Sequence, residues 1–128
     1  MNVMQEQVLE FHQKFGATVG DTVGLRDNEL RANLITEEAE ETVRAILRGD
    51  LVETVDGLCD LIYVIYGAAV TFGIDLEPFF NEVHRSNMTK LWEDGKPRYR
   101  ESDHKVLKPL TYSKPDIKGL LKQCGYSG

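Results

Sequence analysis

The sequence predicts an all-α protein: a four-helix-bundle core, then an irregular C-terminal extension and a short last helix. Three observations carry this reading. Apolar residues recur at helical spacing as far as Leu91, capping residues and glycines punctuate the segments, and no strand-like alternation or internal repeat occurs.

Val3/Met4, Val8, Phe11 and Phe15 mark a first amphipathic helix, which Gly16 ends as a C-cap. Residues 17–26 have no periodicity and form a loop. Gly20 and Gly24 lack the GK[ST] ending of a phosphate loop and read as turn residues. Asp27 or Asn28 can cap a second helix that runs to about Arg48 and closes on Gly49-Asp50. A third helix runs from Leu51 to Phe72, with Gly73 at its C-cap. Asp75 can cap a fourth, with Pro78 tolerated in its first turn, extending to about Leu91. Residues 93–112 are polar and broken by Asp94-Gly95 and Lys96-Pro97. Ser113 and Pro115 then start a last helix that ends near Gln123.

A chain of 128 residues, 41% hydrophobic and 28% charged, suits one soluble domain, 1–128, with 93–128 as its basic extension. No basic segment leads into an apolar stretch at the N-terminus, and the uncharged run from Leu61 to Phe72 is too short to span a bilayer. Cys59 and Cys124 stand apart and the histidines form no HExxH, which points away from disulfides and zinc and towards a reduced cytoplasmic protein. The net charge of −6 divides unevenly, at −11 over residues 1–83 and +5 over 84–128. Such a chain could bind nucleic acid with its basic third, or metal with its body and phosphate with its tail, or simply solvate both faces. Glu93, Asp94, Glu101 and Asp103 among the basic residues argue against nucleic acid.

On the second helix, Glu37, Glu38 and Glu41 share a sector with Leu30, Leu34 and Ala45, whereas Glu40 lies outside it. An ordinary solvated face, with i,i+4 partners such as Glu40–Arg44, explains Glu40 but not the other three. On the third helix the only charges are Glu53, Asp56 and Asp60, spaced i, i+3, i+7 on one stripe of a segment that otherwise reads as core. Enclosed carboxylates need compensation. Arg44 and Arg48 could supply it in a dry network, but six facing carboxylates are better served by a divalent cation. Oxygen-only ligands suit Mg²⁺ or Mn²⁺.

Leu34-Ile35-Thr36-Glu37-Glu38-Ala39-Glu40-Glu41, followed by Asp56-Gly57-Leu58-Cys59-Asp60-Leu61-Ile62-Tyr63-Val64, resembles the EExxE…ExxD signature of all-α NTP pyrophosphatases. That superfamily includes MazG, dimeric dUTPases and phosphoribosyl-ATP pyrophosphohydrolase. His84-Arg85-Ser86-Asn87-Met88-Thr89-Lys90-Leu91-Trp92, Asp94-Gly95-Lys96-Pro97 and Lys105-Val106-Leu107-Lys108-Pro109 look like its phosphoribosyl-ATP-pyrophosphohydrolase-like branch. The pattern departs at one point. With Asp60 as the signature's final Asp, Gly57 stands where its last Glu should be, and Asp56 and Glu53 are the nearest substitutes; Glu53-x-x-Asp56 also satisfies ExxD by itself. Both registers keep the acids on one stripe.

The resemblance implies Mg²⁺-dependent cleavage of a nucleoside triphosphate, most simply a deoxynucleoside triphosphate, between the α- and β-phosphates. Glu37, Glu38, Glu41, Glu53, Asp56 and Asp60 would supply metal ligands, with Glu38 as the base for water. Asn87 and Lys90, i and i+3 on the fourth helix, would contact substrate. Lys96, Arg98, Lys105 and Lys108 would fold over the phosphates as a lid. The likeness further implies a homodimer or homotetramer, with no nucleic-acid or membrane partner. His84 reads as helix packing, and Tyr63, Tyr66 and Trp92 as core or interface. Phosphoribosyl-ATP hydrolysis, nucleic-acid binding and a non-catalytic helical interaction protein are the rival readings.

Overall fold

The structure is a computed structural model and describes residues 1–128. Five helices follow in order: α1 (Val3–Phe15), α2 (Asn28–Leu47), α3 (Leu51–Thr71), α4 (Leu76–Met88) and α5 (Ile117–Gln123). There is no strand, only an isolated antiparallel bridge between Tyr99 and Val106. The all-α expectation holds. The chain divides into two compact units, 1–76 and 77–128, so α1–α3 belong to the first and nearly all of α4 to the second.

Local chemistry fixes the helix ends in the first unit. Asn2 caps α1 by accepting from the Gln5 amide at 2.9 Å, and Gly16 closes the helix in the left-handed conformation (φ 76°). α2 turns into α3 through Gly49 (φ 73°), and the Asp50 side chain accepts from the Glu53 amide at 3.1 Å. Asp27 stands at the N-cap of α2 as expected, but it is left-handed (φ 53°) and makes no side-chain cap bond; its carboxylate accepts from the Thr18 hydroxyl at 2.6 Å. Asp75, before α4, pairs with the N-terminal amine at 3.1 Å.

α3 is the centre of this unit and packs on both α1 and α2. Two glycines set how close it comes. A Cβ at Gly57 would lie 2.6 Å from Thr42 Oγ1 and 3.2 Å from Thr42 Cα, so α2 and α3 touch almost backbone to backbone there. Gly67 leaves room for Arg31 Nη1 and His12 Nε2, which would stand 3.0 and 3.3 Å from its Cβ. His12 is buried and its Nδ1 meets the Thr18 carbonyl at 2.9 Å. Buried Gln5 ties α1 to the end of α3: its Nε2 donates to the Ile74 carbonyl at 2.7 Å, and its Oε1 accepts from the Leu76 amide at 3.0 Å. These polar anchors matter because the fully apolar interior is small.

One expectation needs correcting. The sequence reads α3 as buried on most sides, yet Val55, Leu58, Ile62 and Ile65 are exposed. At 21 residues and a mean hydropathy of 1.3, α3 meets the length and composition of a membrane span, with a third of that window buried. Its acidic stripe and its packing on two helices are those of a core helix with one uncovered apolar face.

In the second unit, Arg85 grips Glu82 through Nε (2.7 Å) and Nη2 (2.9 Å) and donates to Ser113 Oγ and the Lys114 carbonyl. Glu82 also accepts from the Asp116 amide at 2.7 Å. The Arg85 bonds, then that amide, bring the Glu82 carboxyl down to about 2. The connection fastens the segment before α5 onto α4. Asp116, not Ser113, caps α5. α4 ends at Met88 rather than Leu91, continuing as turns through Lys90. His84, expected to pack, is exposed.

Candidate active site

Because α2 and α3 are joined by a tight turn and held close at Gly57–Thr42, the acids on their facing stripes are brought together. The half-buried Glu38 is the centre of this cluster. Its carboxyl is pushed up from the ordinary value, first by burial and then by the charges of Asp60, Glu41, Glu37 and Asp56. Its Oε2 is enclosed and has no hydrogen-bond partner. Glu40 does not act on it, as its place off the shared sector of the helix implies.

An open cleft of about 190 Å³ lies between the two helices; Glu37 and Glu38 are not part of its lining. Its charged lining comes from both helices: Glu41, Arg44 and Arg48 on α2, Glu53, Asp56 and Asp60 on α3. Gly57 forms part of the wall. A side chain at 57 would meet Thr42, whose hydroxyl is itself committed to the Glu38 carbonyl at 2.6 Å, so this position suits glycine. Asp56 and Asp60 both act on Glu38, while Glu53 lies further along the cleft, towards the α2–α3 turn.

The donor set is all carboxylate oxygen, which suits a hard divalent cation. The unpartnered Glu38 oxygen and the mutual repulsion of five acids fit the same group. As they stand, the side chains do not gather three acids into a ready coordination site, so an ion would have to draw them inward. The arginines on hand do not neutralise the cluster. Arg44 forms no ion pair, and Arg48 only approaches Asp50 at 3.8 Å. The Glu40–Arg44 pair expected from i,i+4 spacing is not formed.

The sequence-predicted substrate residues all belong to the second unit. Asn87 is exposed near the end of α4, and half-buried Lys90 follows in the turn, its amide bonded to the Asn87 carbonyl. Lys96 and Lys105 are exposed in the loop around the Tyr99–Val106 bridge. Lys108 lies 4.8 Å over the Tyr112 ring. Arg98 stacks on Trp92 at 4.2 Å, and the Trp92 Nε1 is enclosed without a partner. None of these lysines is ion-paired, which leaves each ammonium free for an anion.

Sequence reasoning passed over Arg31. It is 8% exposed, its Nε is enclosed without a partner, and it forms no ion pair. Lying seven residues before Glu38, it falls on the same stripe of α2, and that spacing was the signal available.

A helical hairpin with opposed Glu and Asp stripes is the architecture of the all-α NTP pyrophosphohydrolases. The chain belongs to the phosphoribosyl-ATP pyrophosphohydrolase family, whose model matches residues 3–87. It is similar to a crystal structure of a candidate NTP pyrophosphohydrolase from Exiguobacterium sp. 255-15, at 26% identity and a TM-score of 0.53, covering 95% of this chain and 93% of that one. It is also 31% identical over 93 residues to an uncharacterised protein of Acanthamoeba polyphaga mimivirus. That match takes in 73% of this chain and 35% of the viral protein, so the chain spans about a third of that relative's length.

Proposed function

We propose that the protein hydrolyses nucleoside triphosphates, deoxynucleotides foremost, to the monophosphate and pyrophosphate with Mg²⁺ or Mn²⁺. The observation that carries this is the cluster around Glu38: opposed carboxylates with an enclosed, unpartnered oxygen, in a chain of this family.

Glu37, Glu41, Asp56 and Asp60, with Glu53 at the cleft's far end, would hold the metal together with one oxygen of Glu38. Held by these residues, a divalent cation would supply charge neutralisation at the phosphates and so favour attack of water at the α-phosphorus. The Glu38 carboxylate would take a proton from that water, and its upward shift makes it a better base than an ordinary carboxylate. The water oxygen bonds to the α-phosphorus, the bond to the bridging oxygen breaks, and the electron pair leaves with the diphosphate. Asn87 and Lys90, with Lys96, Lys105 and Lys108, are the second unit's polar and cationic groups proposed to contact a phosphate-bearing substrate. Hydrolysis of phosphoribosyl-ATP is the second reading, favoured by the family model's description, and it breaks the same kind of bond.

Pyrophosphate release over a panel of NTPs, dNTPs and phosphoribosyl-ATP with Mg²⁺ tests this. No turnover of any member, together with tight, salt-sensitive binding of DNA or RNA, would overturn it. Metal should also raise the melting temperature, by roughly 8 °C at about a hundredfold excess over Kd. Chelation followed by titrated Mg²⁺ in a thermal-shift assay measures this. An unmoved midpoint at millimolar Mg²⁺ counts against the site.

The proposal extends to a cytoplasmic homo-oligomer. Val55, Leu58, Ile62 and Ile65 lie on the side of α3 away from its acids, and Phe11 and Phe15 of α1 are exposed too. A second copy would cover such a face. Light scattering that returns a monomer at micromolar concentration would refute that part.

A further inference from the structure

Arg44 and Arg48 have no assigned part in the chemistry above, although both line the cleft with the acids. We infer that these two guanidiniums form the binding site for the leaving diphosphate, so that the substrate lies along α2 with its terminal phosphates towards the α2–α3 turn. The inference rests on the pyrophosphohydrolase reading and adds residues and a direction to it.

Glu37, Glu41, Arg44 and Arg48 follow one another at i, i+4, i+7 and i+11, a single stripe of α2 that changes sign halfway. At 1.5 Å per residue, Arg44 stands about 4.5 Å beyond Glu41 along the axis and Arg48 about 10.5 Å beyond it. That spread matches a chain of phosphates whose α-phosphorus sits among the acids. The arginines are also uncommitted. If they served to neutralise the cluster, each would hold a carboxylate at close range. Arg44 instead forms no ion pair, and Arg48 reaches only Asp50, at 3.8 Å on the turn. Two exposed guanidiniums beside Glu41, Glu53, Asp56 and Asp60 that pair with none of them remain available for an anion, and guanidinium forks match phosphate oxygens bidentately.

The timing of charge fits as well. When the bond to the α-phosphorus breaks, the electron pair settles on the diphosphate, and the donors that meet it should lie on the far side of the acids from the nucleoside. Arg44 and Arg48 occupy one end of the acidic stripe. The nucleoside would then extend the other way, towards the N-terminal half of α2.

The test measures binding of inorganic pyrophosphate and of nucleoside monophosphates, each with Mg²⁺, to the full chain by calorimetry, alongside turnover. Arg44→Ala and Arg48→Ala should each weaken pyrophosphate about tenfold or more, as expected for lost charge-assisted bonds, and leave monophosphate affinity within about twofold. Arg44→Lys, which keeps the charge but not the fork, should fall between. Wild-type turnover with both alanine variants binding pyrophosphate normally would overturn the inference alone. Equal weakening of both ligands would overturn it too, by showing a general loss of the site. A wild-type protein that neither hydrolyses triphosphates nor binds pyrophosphate would remove the underlying reading with it.

Discussion

Glu38→Gln should reduce kcat by about 10²–10⁴-fold, the usual contribution of a positioned general base, with the fold intact. The amide keeps the shape of the side chain but cannot accept a water proton, and it is a poorer metal donor. Glu41→Gln should also abolish most turnover, because Glu41 both lines the cleft and acts on Glu38. Glu40→Gln is the internal control. It is exposed, sits off the acidic sector, and should stay within about twofold of wild type. Relieving the crowding has a second expected effect: metal-free Glu38→Gln should melt no lower than metal-free wild type. Steady-state kinetics with circular dichroism on the three variants decides the matter, and equal losses at Glu40 and Glu41 would sink the assignment.

The second large effect concerns stability. In an open helix, replacing Gly with Ala stabilises by about 1 kcal/mol. Gly57→Ala should do the opposite and destabilise by about 1–3 kcal/mol, the range for overpacked interiors. The new methyl would meet Thr42 Oγ1 at 2.6 Å, and that hydroxyl cannot simply swing away, since it holds the Glu38 carbonyl. Behind it stands backbone, the Thr42 Cα at 3.2 Å. Gly57→Glu, which puts a Glu three residues before Asp60, should be worse still and should lower activity by spreading α2 from α3. Denaturant unfolding of the two variants tests this, and a Gly57→Ala protein more stable than wild type would show that the helices are not in contact there.

Gly57 also shows what the sequence could and could not convey. Helical periodicity and glycine punctuation were enough to place α1 to α3 within a residue or two, because those signals are local. The selection of Glu37, Glu38 and Glu41 over Glu40 followed from angular position alone. The reason for Gly57 was not legible, since a close approach between helices depends on which residue faces it, here Thr42. The cap at Asp27 was only half legible: the residue does stand at the N-cap of α2, but its carboxylate is taken by Thr18 from elsewhere in the chain. The uncovered side of α3 was hidden too, because an apolar residue reads the same whether its neighbour is another part of the chain or solvent.

The tight turn at Gly49 has a kinetic meaning. Glu41 and Asp56 are only fifteen residues apart in the chain, so the two acidic stripes belong to one helical hairpin closed by a short loop. Closing so short a loop costs less chain entropy than bringing α1 back onto α3. If this hairpin closes first, the chain meets its like-charge repulsion before the rest of the unit can offset it. A divalent cation present at that moment would lower the barrier as well as stabilise the end state, and Mg²⁺ would act on the folding arm of a chevron plot and not solely on unfolding.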